Sequence, residues 1–113
     1  MVRNPTRVAQ DHIAAVLSGD PAAMAADYAP DAVLERADGV YEGHNAIKAY
    51  FNTVPDRLGS ARVVFDELLV ADNTVTFRWH LDGSDATASG TDVCILEDGL
   101  IVHQIVRLDA VDF

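Results

Sequence analysis

A single cysteine, Cys94, among 113 residues excludes an intrachain disulfide and a cysteine-built zinc site. Its apolar neighbours Val93, Ile95 and Leu96 mark it as an inert core thiol. Positive charge is scarce: eight Lys and Arg face eighteen Asp and Glu, a formal net charge of −10, and the bases form no stripe. Nucleic acid and membranes are not expected partners, because nothing clusters to neutralise phosphate. Long apolar runs are also missing. Residues 93–96 fall far short of the ~20 residues of a membrane span, and residues 1–20 lack the apolar centre of a signal peptide, so the expected location is the cytoplasm. The sequence has no Gly-rich phosphate loop, no Gly-x-Ser-x-Gly elbow and no cysteine nucleophile motif.

What is there is the balance of a globular protein, 50% hydrophobic and 23% charged. A chain of this size buries a little under ~70% of its unfolded surface, which gives one core and one domain over residues 1–113.

Asn4-Pro5 reads as an N-cap with proline at the first helical position, and Ala9, Ile13, Val16 and Leu17 then recur at helical spacing, predicting a helix over 5–17. Gly19-Asp20-Pro21 repeats the stop-and-cap signal and opens a second helix through Met24 to Tyr28, closed by Pro30. Residues 32–36 and 40–42 flank Asp38-Gly39 as a small ribbon. Ile47, Tyr50, Phe51 and Val54 form the apolar stripe of a third helix ended by Pro55. Four strands follow, 62–70, 74–82, 86–96 and 100–108, joined by compact turns at Asp72-Asn73, Gly83-Ser84-Asp85 and Asp98-Gly99. In the second of these, Val75, Phe77, Trp79 and Leu81 alternate with Thr76, Arg78, His80 and Asp82, so one face must meet the helices. The last strand places Ile101 and Ile105 on one face and Val102, Val106 and Leu108 on the other, so both sides need cover and a second subunit is the expected one. The fold class is α+β: three N-terminal helices packed in an antiparallel sheet with a C-terminal four-strand meander.

Tyr28-Ala29-Pro30-Asp31-Ala32-Val33-Leu34, Tyr41-Glu42-Gly43 and Ala46-Ile47-Lys48-Ala49-Tyr50-Phe51, then Phe77-Arg78-Trp79, Gly90-Thr91-Asp92-Val93 and Glu97-Asp98-Gly99-Leu100-Ile101-Val102, run in order along nearly the whole chain. In this order and spacing they resemble SnoaL-like polyketide cyclases and ketosteroid isomerases of the NTF2-like superfamily. The resemblance implies a curved sheet wrapped around helices into a cone with an apolar pocket, often a homodimer through the outer sheet face, and chemistry without a cofactor. That scaffold also hosts dehydratases, epoxide hydrolases and binders without activity, so the site residues must decide.

His12 lies in the apolar arc of the first helix beside Ala9, Ile13 and Val16. The resemblance places it where ketosteroid isomerases keep a tyrosine that donates to the substrate oxygen; the plain alternative is a core histidine bonded to a backbone carbonyl. Asp92 shares strand parity with Cys94 and Leu96, which predicts a desolvated acid. Similar isomerases hold a protonated carboxylic acid at this place; the alternative is a turn cap or an interface pair. Their general base, an aspartate at the end of the first strand, is Arg36 here, and arginine cannot take a carbon-bound proton. Arg36 reads as a binder of a carboxylate or enolate oxygen, or as a rim partner of Glu35 or Asp38. Gln104 is a second inward polar candidate that orients a ligand or a water, or else an interface amide. Tyr50, Phe51, Phe77 and Trp79 read as pocket wall. Arg78, His80, His103 and Arg107 have outer-face parity; His80 and His103 lack a third ligand, so no metal is expected.

The expected activity is proton transfer on a small apolar carbonyl compound, by isomerisation, cyclisation or dehydration. Asp92 orients and charges His12, and Arg36 and Gln104 hold the ligand. Epoxide opening by a water on Asp92 and Gln104 is a variant. The rival, supported by the missing base, is a ligand-binding or dimerisation module without catalysis.

Overall fold

The computed structural model describes residues 2–83 and 88–109. Helix α1 (Pro5–Ser18) starts where the cap predicts: the Asn4 side chain accepts from the Arg7 backbone N–H at 2.8 Å, and Gly19, at φ 74°, ends it. Asp20 caps α2 in the same way, but α2 (Pro21–Ala25) is shorter than expected. Pro30 does not close a helix. It lies inside strand β1 (Tyr28–Arg36), in the stretch where pairing with the last strand jumps from Tyr28↔Ile101 to Val33↔His103, so its missing N–H breaks no regular ladder there.

Strand β2 (Gly39–Glu42) pairs back on β1 with Arg36 opposite Gly39, so the two loop residues are Ala37 and Asp38, one position earlier than Asp38-Gly39. Helix α3 (His44–Asn52) carries the expected stripe. Pro55 then opens a further short helix, α4 (Val54–Leu58), because proline suits a helix's first turn as well as it ends one. Among the described residues there are thus four helical segments rather than three.

Strands β3 (Arg62–Ala71), β4 (Thr74–Asp82), β5 (Ser89–Glu97) and β6 (Leu100–Leu108) form the predicted meander. Asp98 and Gly99, at φ 52° and 75°, make a tight β5–β6 turn of the kind that matches strand twist. Of the expected 83–85 turn, residues 84 and 85 lie outside the described residues. The single curved sheet has the order β2-β1-β6-β5-β4-β3. It is antiparallel except where β1, second from one edge, runs parallel to β6, a departure from the all-antiparallel expectation that the intervening helices and strands make possible.

The helices pack on one face of this sheet. Val8, Met24, Leu34, Ile47, Val75, Cys94 and Ile101 are fully buried in the shared core, each large side chain contributing about 1.5–3 kcal/mol. Burial also pushes the Cys94 thiol's pKa up, consistent with an inert core thiol.

A bulge changes the expected phase of β6. Ile95 pairs with His103 and Leu96 with Ile101, leaving Val102 as the extra residue. Ile101, Gln104 and Val106 therefore all serve the inner side, while His103, Ile105 and Arg107 alternate with them, so Ile101 and Ile105 do not share a face. Among the described residues, no helix is long and apolar enough to cross a membrane.

Candidate active site

Between the helices and the inner face of the sheet lies a cavity of about 70 Å³, and its walls are mostly apolar. His12, Arg36, Tyr50, Phe51, Phe77, Trp79, Asp92 and Gln104, the eight expected from sequence to act on or bind a ligand, all line it. Phe51 comes from α3, Phe77 from β4 and Val106 from β6; His12, Arg36, Tyr50, Trp79, Asp92 and Gln104 supply the polar atoms.

His12 does not pair with Asp92. Its Nδ1 lies 3.1 Å from Oδ2 of Asp27, and both side chains are buried. Asp27 sits between α2 and β1, just past the helix rather than within it. Its other oxygen accepts from Nη1 of Arg3 at 2.8 Å, and Arg3 also donates to Asp11 and, at 2.9 Å, to the carbonyl of Gly99. Burial raises the Asp27 pKa, but the hydrogen bonds and charges of His12 and Arg3 outweigh it and hold the carboxyl below its usual range. An ionised Asp27 can only accept, so Nδ1 of His12 carries a proton, and in the neutral imidazole Nε2 is then the basic nitrogen. Among the described residues, Nε2 has no hydrogen-bond partner. The imidazole is flanked by Tyr28, Phe51 and Phe77, with ring centroids 5.6, 6.1 and 6.1 Å away.

Asp92 is held by two donors of its own. The Trp79 indole Nε1 donates to Oδ1 at 3.0 Å, and the Gln104 amide donates to Oδ2 at 2.9 Å. The Tyr28 hydroxyl donates in turn to the carbonyl oxygen of Gln104, which fixes the amide's orientation. Burial is the dominant influence on Asp92 and pushes its pKa up to about 6, against the opposing pull of Trp79, His12, Gln104 and Arg36. Trp79 is placed by Gly90, where a Cβ would stand 2.8 Å from the indole Cζ2 and 2.7 Å from the Arg107 carbonyl oxygen.

Arg36 points inward, as its parity requires. Nη1 donates to the Tyr50 hydroxyl at 2.7 Å, and Nε reaches Asp38 at 3.3 Å. Because the Tyr50 oxygen accepts from Arg36, its own proton is available to the cavity. Burial pushes the Tyr50 pKa up, so the hydroxyl stays protonated.

The remaining candidates lie elsewhere. Glu35 faces outward and meets Nε2 of His103 at 2.6 Å; Asp38 stays in the hairpin loop; His80 bonds Asp66 at 2.8 Å. Strand β5 separates His80 from His103, and the two do not meet. Among the described residues, no cluster of His, Cys, Asp and Glu has the form of a metal site. Sequence reasoning missed Asp27, Tyr28 and Arg3. The available signal was an isolated acid within the apolar stretch 22–29.

The family model of the SnoaL-like domain matches residues 9–104. A protein from Sinorhizobium meliloti, provisionally named a polyketide cyclase, is 19% identical, with 89% of this chain and 94% of that chain covered and a TM-score of 0.78. One from Agrobacterium tumefaciens, provisionally named an isomerase of the SnoaL-like family, is 24% identical, with 94% and 97% covered and a TM-score of 0.77. A third, from Kribbella flavida and provisionally named a ketosteroid isomerase, is 16% identical, with 95% and 78% covered and a TM-score of 0.81. None of the curated proteins matches the chain.

Proposed function

The chain belongs to the SnoaL-like domain family, and from that premise we propose that it is a cofactor-free enzyme transferring a proton on a small, largely apolar carbonyl compound, by isomerisation, cyclisation or dehydration. One observation carries this reading: a histidine buttressed by a buried carboxylate, at 3.1 Å, opens on the same apolar cavity as a second, separately held acid. In this scheme Nε2 of His12 takes the proton from the carbon beside the carbonyl. The imidazolium that forms is stabilised by Asp27, a positioning residue that holds the tautomer without touching the substrate. Negative charge developing on the carbonyl oxygen meets the Tyr50 hydroxyl, polarised by Arg36, and Asp92 when protonated. His12 thus fills the base role that Arg36 cannot.

The test is solvent deuterium uptake. Cyclohexanone, 2-cyclohexenone and acyclic 1,3-diketones are incubated with the protein in heavy water and followed by proton NMR. Wild type should accelerate exchange beside the carbonyl. His12→Gln should lower the rate by about 10²-fold or more, and Asp27→Asn should lower it while leaving a measurable remainder. No accelerated exchange across the panel would instead favour a ligand-binding module.

A further inference from the structure

We propose that the ligand of this cavity is a small apolar carboxylic acid, bound as its anion on the Nη edge of Arg36. The inference rests on the same cavity being the working site and adds the chemical class of what enters it. The Arg36 side chain is only 3% exposed, yet it lines the cavity. Desolvating a guanidinium is costly unless an anion and a full set of acceptors compensate it. The partners here are thin. Tyr50 is neutral; Asp38 is 45% exposed and bonds Nε at 3.3 Å; among the described residues, Nη2 has no hydrogen-bond partner.

The other acids near the cavity are already engaged. Both Asp92 oxygens accept from Trp79 and Gln104, and both Asp27 oxygens from Arg3 and His12. Neither bonds Arg36. A second guanidinium, that of Arg57, lies 5.6 Å from the centre of the Tyr50 ring that Arg36 also covers at 5.1 Å. Two cations therefore flank one ring at the cavity, in a chain whose net charge is −10. The planar Nη pair presents parallel N–H groups that match a carboxylate's two oxygens, which a point charge would not do. Phe51, Phe77, Val54 and Val106 offer apolar surface to the rest of the ligand.

Trp79 is the only tryptophan, and it lines the cavity, so its fluorescence reports occupancy. Benzoate and benzamide, alike in shape and different in charge, are titrated at pH 7 and low salt into wild type, Arg36→Met and Arg36→Lys, each checked for folding by circular dichroism. Wild type should bind benzoate at least about tenfold more tightly than benzamide. Arg36→Met should lose this preference with benzamide affinity little changed, and Arg36→Lys should retain part of it. If Arg36→Met does not fold, Arg36→Lys decides alone: a preference as large as in wild type would overturn the bidentate seat. Equal affinities in wild type, no saturable benzoate signal up to about 20 mM, or an unchanged preference in Arg36→Met would also overturn the proposal. The deuterium assay uses neutral ketones, so the catalytic reading and the ligand class can each fail without the other.

Discussion

Asp92→Asn tests the electrostatic reading of the site through stability alone, with no substrate required. Burial raises the Asp92 carboxyl from 3.8 to about 6, and each pKa unit corresponds to about 1.36 kcal/mol. The shift is therefore an upper figure of about 3 kcal/mol by which ionised Asp92 opposes folding. The sign follows from proton binding. Between the two values the folded state holds the proton more tightly than the unfolded chain, so stability is greatest below pH ~4 and falls as pH rises through about 6. The asparagine variant lacks this term. Its amide requires Gln104 to turn over and donate toward Tyr28, a pH-independent cost of about 1 kcal/mol. At pH 8 the variant should thus be more stable than wild type by about 2 kcal/mol. Because the sequence pI is about 4.4 and solubility is lowest there, urea unfolding followed by Trp79 fluorescence is best run from pH 5 to 8. Over that window the gap between variant and wild type should widen by about 1 kcal/mol. All other titratable groups are common to both proteins, so the difference between the two curves reports Asp92 together with its coupling to His12 and Arg36. Parallel stability curves across this range would refute the claim that Asp92 is a desolvated acid.

Gly90→Ala forces a Cβ to 2.7 Å from the Arg107 carbonyl oxygen and 2.8 Å from the Trp79 ring, so it should cost about 1–3 kcal/mol and shift the emission of Trp79, read by chemical denaturation and fluorescence. Arg3→Ala removes donors to Asp27, Asp11 and Gly99. It should raise the Asp27 pKa toward ordinary values in a carboxyl NMR titration and lower stability at neutral pH by about 1–2 kcal/mol. The loss should shrink as pH falls through the Asp27 pKa, since a depressed carboxyl stabilises only while ionised. The apolar pattern of the last strand predicts dimerisation through the outer sheet face. The Val102 bulge leaves Ile105 between His103 and Arg107 on the outward-facing register of β6, and a monomer mass by light scattering at micromolar concentration would remove the dimer expectation.

The local order of the chain was written in its sequence. Asn4-Pro5, Asp20-Pro21 and Asp98-Gly99 act through bonds and dihedrals within a few residues, so α1, the start of α2 and the last turn are legible without knowing the fold. Strand alternation is equally local, and it sends Arg36, Phe77, Trp79, Asp92 and Gln104 toward one cavity. The same locality explains the misplacements. Pro30 and Pro55 restrict φ and lack an N–H but do not say what surrounds them; an irregular pairing absorbed one, and a second helix's first turn took the other. The Val102 bulge resets the β6 phase by fitting β6 to its neighbour, which no pattern within β6 specifies.

Which acid serves His12 was decided only by tertiary structure. Asp92 had the parity to face inward, and it does, but Trp79 and Gln104 satisfy both its oxygens. Asp27 reaches the imidazole because the chain leaves α2 early and enters β1 alongside β6, where the backbone of Asp27 accepts from Ile101 at 2.8 Å. Composition and periodicity determine which side chains turn inward; the pairing of buried polar groups depends on distances of about 3 Å between segments far apart in sequence, and only the packed fold sets those.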